Sequence, residues 1–212
     1  MLITAEIRWF WPDDASTSRL DWFVSSQRHG GPPAEPAARV DRYLVDGVQP
    51  ELGIKLRGGR SGVEIKGLVD ARAAVLSSPP FDGAIEIWSK WWTVDIGLDA
   101  GRTVEVEKRR WVRAFDSTGP KPVEVSELVP AWYLGTAEMP ARGCNVEVTR
   151  VAGPEGEVWW TIGFEAYGAL STVVEDLVAA AGVMAARRPP ELSDAVCQSY
   201  PAWLGSIVDQ GA

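Results

Sequence analysis

The chain has one histidine and two cysteines in 212 residues, and each scarcity removes a class of chemistry. His29 stands in a stretch rich in Gly and Pro (28–36), which argues against a histidine-dependent nucleophilic triad. Cys144 and Cys197 are far apart and lack the CxxC spacing of a metal or redox site, so two separate thiols are expected, with one disulfide as the alternative. No run approaches the roughly 18 apolar residues of a membrane span. Residues 1–6 lack the basic region and apolar core of a signal peptide, and a cytoplasmic protein without membrane partners is expected. Positive charge is also short. The 21 Lys and Arg are outnumbered by 29 Asp and Glu, giving a net charge of -8, which argues against nucleic-acid binding because phosphate neutralisation needs clustered cations.

What the chain does have is alternation. Apolar and charged residues interchange in Thr4-Ala5-Glu6-Ile7-Arg8, Lys55-Leu56-Arg57, Glu64-Ile65-Lys66, Glu86-Ile87-Trp88-Ser89-Lys90, Glu105 to Arg113, Asn145 to Thr149 and Thr161 to Glu165. A period of two means strands with one apolar and one polar face, and the polar face carries both signs. The length suits a single domain, taken as 1–212, with strands over about 3–166 and C-terminal helices over about 171–208. Eleven Trp residues are unusual at this length.

Strands are expected over 3–11, 40–45, 84–94 and 102–115, with a short helix possible in 17–27. A hairpin turns at Gly58-Gly59-Arg60-Ser61-Gly62, and a second hairpin pairs 145–151 with 157–166. The glycine turn lacks the Lys and the following helix of a phosphate-binding P-loop. A helix is plausible over 70–76, residues 124–133 are ambiguous, and Ser171 offers an N-cap for a helix over 172–187 that Pro189-Pro190 stops. A last helix is expected to cover part of 191–208.

The charged face can point two ways. Facing water, it belongs to an ordinary antiparallel sandwich or barrel. Facing inward, it lines a closed barrel of about eight strands, wide enough for one small ligand, whose apolar outer face the helices cover. Buried charges are costly unless paired, so such an interior must be wet, mutually paired and suited to a polyanion. Carboxylates there could hold Mg²⁺, which is usually bound by one or two of them together with phosphate oxygens.

In order and spacing these segments resemble the CYTH family of triphosphate tunnel enzymes, which includes inorganic triphosphatases, thiamine triphosphatases and class IV adenylate cyclases. Thr4 to Arg8 stands in the place of the family's opening Glu-x-Glu-x-Lys. Asp41-Arg42-Tyr43-Leu44, Gly53 to Arg57 and Glu64-Ile65-Lys66-Gly67 resemble its tyrosine, basic and Lys strands; Glu105 to Arg113, Asn145 to Thr149 and Gly163-Phe164-Glu165 resemble the later ones. The chain departs from that pattern at Thr4, at Arg8 and at Gly163, where the family has Glu, Lys and usually an acid.

The resemblance implies an α+β fold, an antiparallel eight-stranded barrel with helices packed outside, and metal-dependent hydrolysis of inorganic tripolyphosphate or an organic or nucleoside triphosphate. It implies Arg8, Lys55, Arg57, Lys66, Lys90, Arg109 and Arg113 as phosphate-binding residues, with Glu6, Lys66 and Arg57 at the reacting centre. The implied ligands for Mg²⁺ or Mn²⁺ are Glu6, Glu107, Glu147 and Glu165. Two other readings stay open: a non-catalytic polyphosphate- or nucleotide-binding protein, and a barrel with inverted faces holding a hydrophobic ligand. The protein is expected to act as a monomer or homodimer. Trp88 and Trp111, on the charged parity, fit packing better than stacking on a substrate.

Overall fold

Strands with opposed apolar and charged faces bury the apolar side by closing and then covering it. The computed structural model describes residues 1–13, 17–25, 36–45, 49–95, 98, 102–125, 140–153 and 155–210. Along the chain run β1 (Leu2–Pro12), α1 (Ser18–Ser25), β2 (Arg39–Leu44), β3 (Leu52–Leu56), β4 (Val63–Ser78), β5 (Phe81–Thr93) and β6 (Thr103–Asp116). They continue with β7 (Val123–Val125), β8 (Gly143–Ala152), β9 (Val158–Gly168), α2 (Val173–Ala185), β10 (Val196–Cys197) and α3 (Tyr200–Gln210). Eight strands form a closed antiparallel barrel in the order β1-β5-β4-β3-β2-β6-β8-β9, and β9 returns to β1 in a register running from Ile3 opposite Gly168 to Pro12 opposite Trp159. Short strands β7 and β10 are attached to β6 and β1.

The main apolar core lies outside the barrel. Ala5, Ile7 and Trp9 of β1, Val146 and Val148 of β8, and Ile162 and Phe164 of β9 face outward against α2. That helix presents Val173, Leu177, Ala180, Ala181 and Met184, a stripe spaced to keep one helical face on the barrel wall. Phe23 of α1 joins the same core. Most of the charged alternate residues therefore point inward, those of β6 on the odd parity excepted, which disposes of the sandwich with a solvated charged face and of the barrel with an apolar interior.

A second, smaller apolar cluster closes one end from within. Trp203 of α3 is fully buried and stacks on Phe10 at 5.1 Å between ring centroids, while Tyr200 stacks on Tyr43 at 5.8 Å. Val106, Val151 and Leu204 complete this cluster. Thus α2 covers the outer wall and α3 seals a mouth.

Three local expectations are corrected. Residues 70–76 belong to β4, not to a helix; its pairing with β5 shifts register between Leu68 and Asp70 and between Asp70 and Ala74, so strict alternation is lost there. The N-cap of α2 is Thr172 instead of Ser171, and its hydroxyl donates to the Ala169 carbonyl instead of capping the helix. The helix also ends at Ala185. Both cysteines are free, Cys144 buried and Cys197 exposed. His29 and residues 126–133 lie outside the described residues. Among the described residues no helix is long and apolar enough to cross a membrane.

Candidate functional site

The barrel encloses a cavity of about 710 Å³. Met1, Leu2, Trp91 and Trp92 are the exposed members of its lining and mark the open mouth, while Tyr200 and Pro201 of α3 mark the sealed end. Its walls carry nine cationic side chains, Arg8, Arg39, Lys55, Arg57, Arg60, Lys66, Lys90, Lys108 and Arg110, against four carboxylates, Glu6, Glu64, Glu147 and Glu165. A protein with a net charge of -8 thus has a cationic interior.

The charges gather in three clusters, each set by strand register. Glu6 of β1 lies opposite Glu165 of β9. Lys90 Nζ is 2.9 Å from Glu6 and 2.8 Å from Glu165, and Lys66 Nζ is 2.5 Å from the other Glu6 oxygen. Burial would raise the Glu6 carboxyl, but Lys66 and Lys90 outweigh it and hold Glu6 far below the usual carboxylate range. In the second cluster Glu147 of β8 accepts from Arg8 at 2.5 Å and from Arg110. Burial opposes its ionisation too, and the two guanidiniums reverse that, holding Glu147 well below its ordinary value.

The third cluster surrounds Asp41, which is fully buried on β2. Arg39 pairs with it at 2.8 Å, Lys108 lies at 3.6 Å and Lys55 at 3.9 Å, and the Gly58 backbone N–H donates to the same carboxylate. Glycine is required there, because a Cβ at position 58 would sit 2.1 Å from the Val40 carbonyl oxygen. Lys55 also pairs with Glu64 at 2.8 Å; burial pushes the Glu64 carboxyl up, but Lys55 and Lys90 bring it down to about 2. Burial drives the Lys108 ammonium well below its ordinary range, and Asp41 restores only part. Arg57 is likewise lowered, by burial and then by the guanidiniums of Arg39 and Arg110.

Of the residues singled out from sequence, the structure brings Glu6, Arg8, Lys55, Arg57, Lys66, Lys90, Glu147 and Glu165 to the cavity. It does not bring Glu107, Arg109 or Arg113. Glu107 and Arg109 form a half-buried pair at 3.8 Å, and Arg113 is held outside the cavity by Glu124 at 2.6 Å and by the Phe23 carbonyl. The cause is the parity of β6, which has charges on both faces: Lys108 and Arg110 point inward, and their odd-numbered neighbours do not. Lys108, Arg110, Arg39 and Asp41 were missed as site residues, although Arg39-x-Asp41-x-Tyr43 shows the same period of two as the segments that were recognised.

The tryptophans do structural work near the site. Trp88 is fully buried, donates to Glu86 at 2.8 Å and supports the Lys66 ammonium 4.1 Å from its ring centroid. Trp111 stacks on Trp160 at 5.9 Å on the outer face. Trp159 and Trp160 serve opposite faces, the first packing against the cluster at α3 and the second against the outer core.

Chemically, this arrangement can neutralise a chain of negative charges. Its fit to a divalent metal is poorer. Among the described residues no three His, Cys, Asp or Glu side chains are grouped to hold a metal ion, and the inward carboxylates are each engaged by the protein's own cations. As they stand, the donors do not form a metal-ligand set. No protein-family model matches the chain, and no curated protein matches it.

Proposed function

We propose that the barrel holds the phosphate chain of a triphosphate-bearing small molecule, either inorganic tripolyphosphate or an organic or nucleoside triphosphate. The observation that carries this reading is the excess of cations over carboxylates inside the barrel cavity of an acidic protein. Charges removed from water are costly unless compensated. An incoming polyanion supplies the compensation that four carboxylates and Asp41 do not complete. Guanidiniums such as Arg8 and Arg110 suit the bidentate geometry of phosphate, and the lysines act as point charges between them.

Binding is the role that this geometry supports best. The resemblance to the triphosphate tunnel enzymes adds hydrolysis, and the same cavity would then position the terminal phosphoryl group among cations that stabilise charge on its oxygens. Which of the two operates is decided by phosphate release from tripolyphosphate, measured with Mg²⁺, with Mn²⁺ and with chelator.

Isothermal titration with tripolyphosphate tests the binding itself. Arg110→Ala removes an inward guanidinium and is expected to weaken binding by about 10- to 100-fold, the equivalent of a hydrogen bond to a charged group. Arg109→Ala, on the outer face of the same strand, is expected to leave binding unchanged. Equal losses in both variants, or no binding by the parent protein, would sink the proposal.

A further inference from the structure

The polyanion reading leaves one arrangement unexplained: an ammonium sits between the two carboxylates best placed to receive a metal ion. Mg²⁺ in phosphate sites is typically held by one or two carboxylates plus the phosphates themselves. Glu6 and Glu165 face each other across β1 and β9 on the inner wall, and Lys90 Nζ bridges them at 2.9 and 2.8 Å.

We propose that the Lys90 ammonium is the resident cation of this site, standing where a divalent ion would bridge Glu6 and Glu165, so that a phosphate chain binds here without metal. The inference rests on the reading of the cavity as a triphosphate site and specifies how that site is charged.

The local charge balance argues for it. Glu6 and Glu165 bring two negative charges, and Lys66 and Lys90 bring two positive ones within 2.9 Å of them. A divalent ion approaching this group meets no net negative charge, and it would have to displace an ammonium to reach either carboxylate. Both Glu6 oxygens are also engaged: the Thr4 hydroxyl donates to one at 2.7 Å, beside Lys90, and Lys66 donates to the other. An ammonium has three N–H donors. Two meet the carboxylates, and one is left for a phosphate oxygen in the cavity that Lys90 lines.

The test is titration of tripolyphosphate into the parent protein, Lys90→Met and Lys90→Arg, each in excess chelator and in Mn²⁺. Protein-bound Mn²⁺ is read separately by electron paramagnetic resonance without tripolyphosphate. The expected result is binding by the parent protein in chelator, no Mn²⁺ bound by it, at least a tenfold loss of affinity in chelator for Lys90→Met, and retention within a few-fold for Lys90→Arg. Binding by the parent protein that disappears in chelator and returns with Mn²⁺ overturns the inference and leaves the polyanion reading standing. Unaltered affinity of a folded Lys90→Met also overturns it. Absence of tripolyphosphate binding under every condition overturns the reading beneath it. If Lys90→Met fails to fold, the two conditions on the parent protein and on Lys90→Arg still decide.

Discussion

Gly163 and Arg8 are fitted to one another. A Cβ on Gly163 would stand 2.7 Å from the Arg8 guanidinium carbon, so a side chain at 163 and this arginine position are incompatible. Arg8 lies across the glycine to donate to Thr161 at 2.6 Å and to Glu147 at 2.5 Å. Gly163→Ala is expected to push the guanidinium aside, lose one or both of these bonds and lower tripolyphosphate affinity about tenfold, the loss of one charged hydrogen bond. The fold should survive, because the displaced atoms are the far end of a flexible side chain. Titration calorimetry beside circular dichroism checks this, and undiminished affinity would show that the position of Arg8 is unimportant. The buried carboxylates carry a second residue-scale consequence. Glu6, Asp41, Glu64 and Glu147 all ionise more readily in the folded protein than usual. Carboxylates depressed in this way stabilise the fold above their unfolded pKa, and the contribution is lost as pH falls toward the folded value. For Glu64, ordinarily 4.5 and here about 2, the full contribution is about 3 kcal/mol. Urea midpoints should hold between pH 7 and about 5.5, then fall from near pH 4.5 down to pH 2, and Glu64→Gln should flatten part of that slope. A midpoint indifferent to pH between 5 and 3 would contradict the paired interior.

Helix α3 supplies the element-scale test. Trp203 is fully buried against Phe10, Tyr200 and Trp159, yet its indole Nε1 is buried without a hydrogen-bond partner among the described residues. Removing the ring and removing only the N–H should therefore differ sharply. Trp203→Ala is expected to cost about 3–5 kcal/mol, as large-to-small core changes do. Trp203→Phe loses ring volume but also relieves a buried unsatisfied donor worth about 1–3 kcal/mol, and should lie near neutral. Denaturant unfolding of both variants checks the contrast; equal losses would mean that the N–H is satisfied after all. What sequence conveys about the elements follows from the same physics. Regular alternation made β1, β2, β5, β6 and the β8–β9 hairpin readable, and Ser18 to Ser25 was readable as a short helix. The stretch 70–76 was misread because two register shifts in β4 blur the period, leaving an Ala-rich run that resembles a helix. In β6 the run Lys108-Arg109-Arg110 puts charge on both parities, so period alone cannot choose the inner face; only the pairing of Lys108 with Val151 and of Arg110 with Thr149 settles it. That α3 seals a mouth instead of covering the wall depends on Phe10 and Tyr43, which are far from it in sequence.

At the scale of the whole molecule, sign and place of charge are separated: a surplus of acid overall and a surplus of base within. An anion attracted only to surface lysines would meet the surrounding acidic surface, and its binding would fade with salt because exposed charges are screened over about 10 Å at 0.1 M and about 3 Å at 1 M. An anion inside the barrel is held by partly desolvated cations that salt reaches poorly. Ligand binding to the folded state alone stabilises it by about 2.7 kcal/mol at a hundred times Kd. For a chain of this length each kcal/mol moves Tm by about 2–4 °C, so tripolyphosphate at that excess should raise Tm by about 5–10 °C. Orthophosphate, which carries a single phosphoryl group and less charge, should give a much smaller shift at the same concentration. At 0.5 M NaCl most of the tripolyphosphate shift should remain, with the ligand kept at a hundred times the Kd measured in 0.05 M NaCl. A shift that vanishes at 0.5 M salt, or that orthophosphate matches, would place the anion on the exterior and detach the cationic interior from any role in binding.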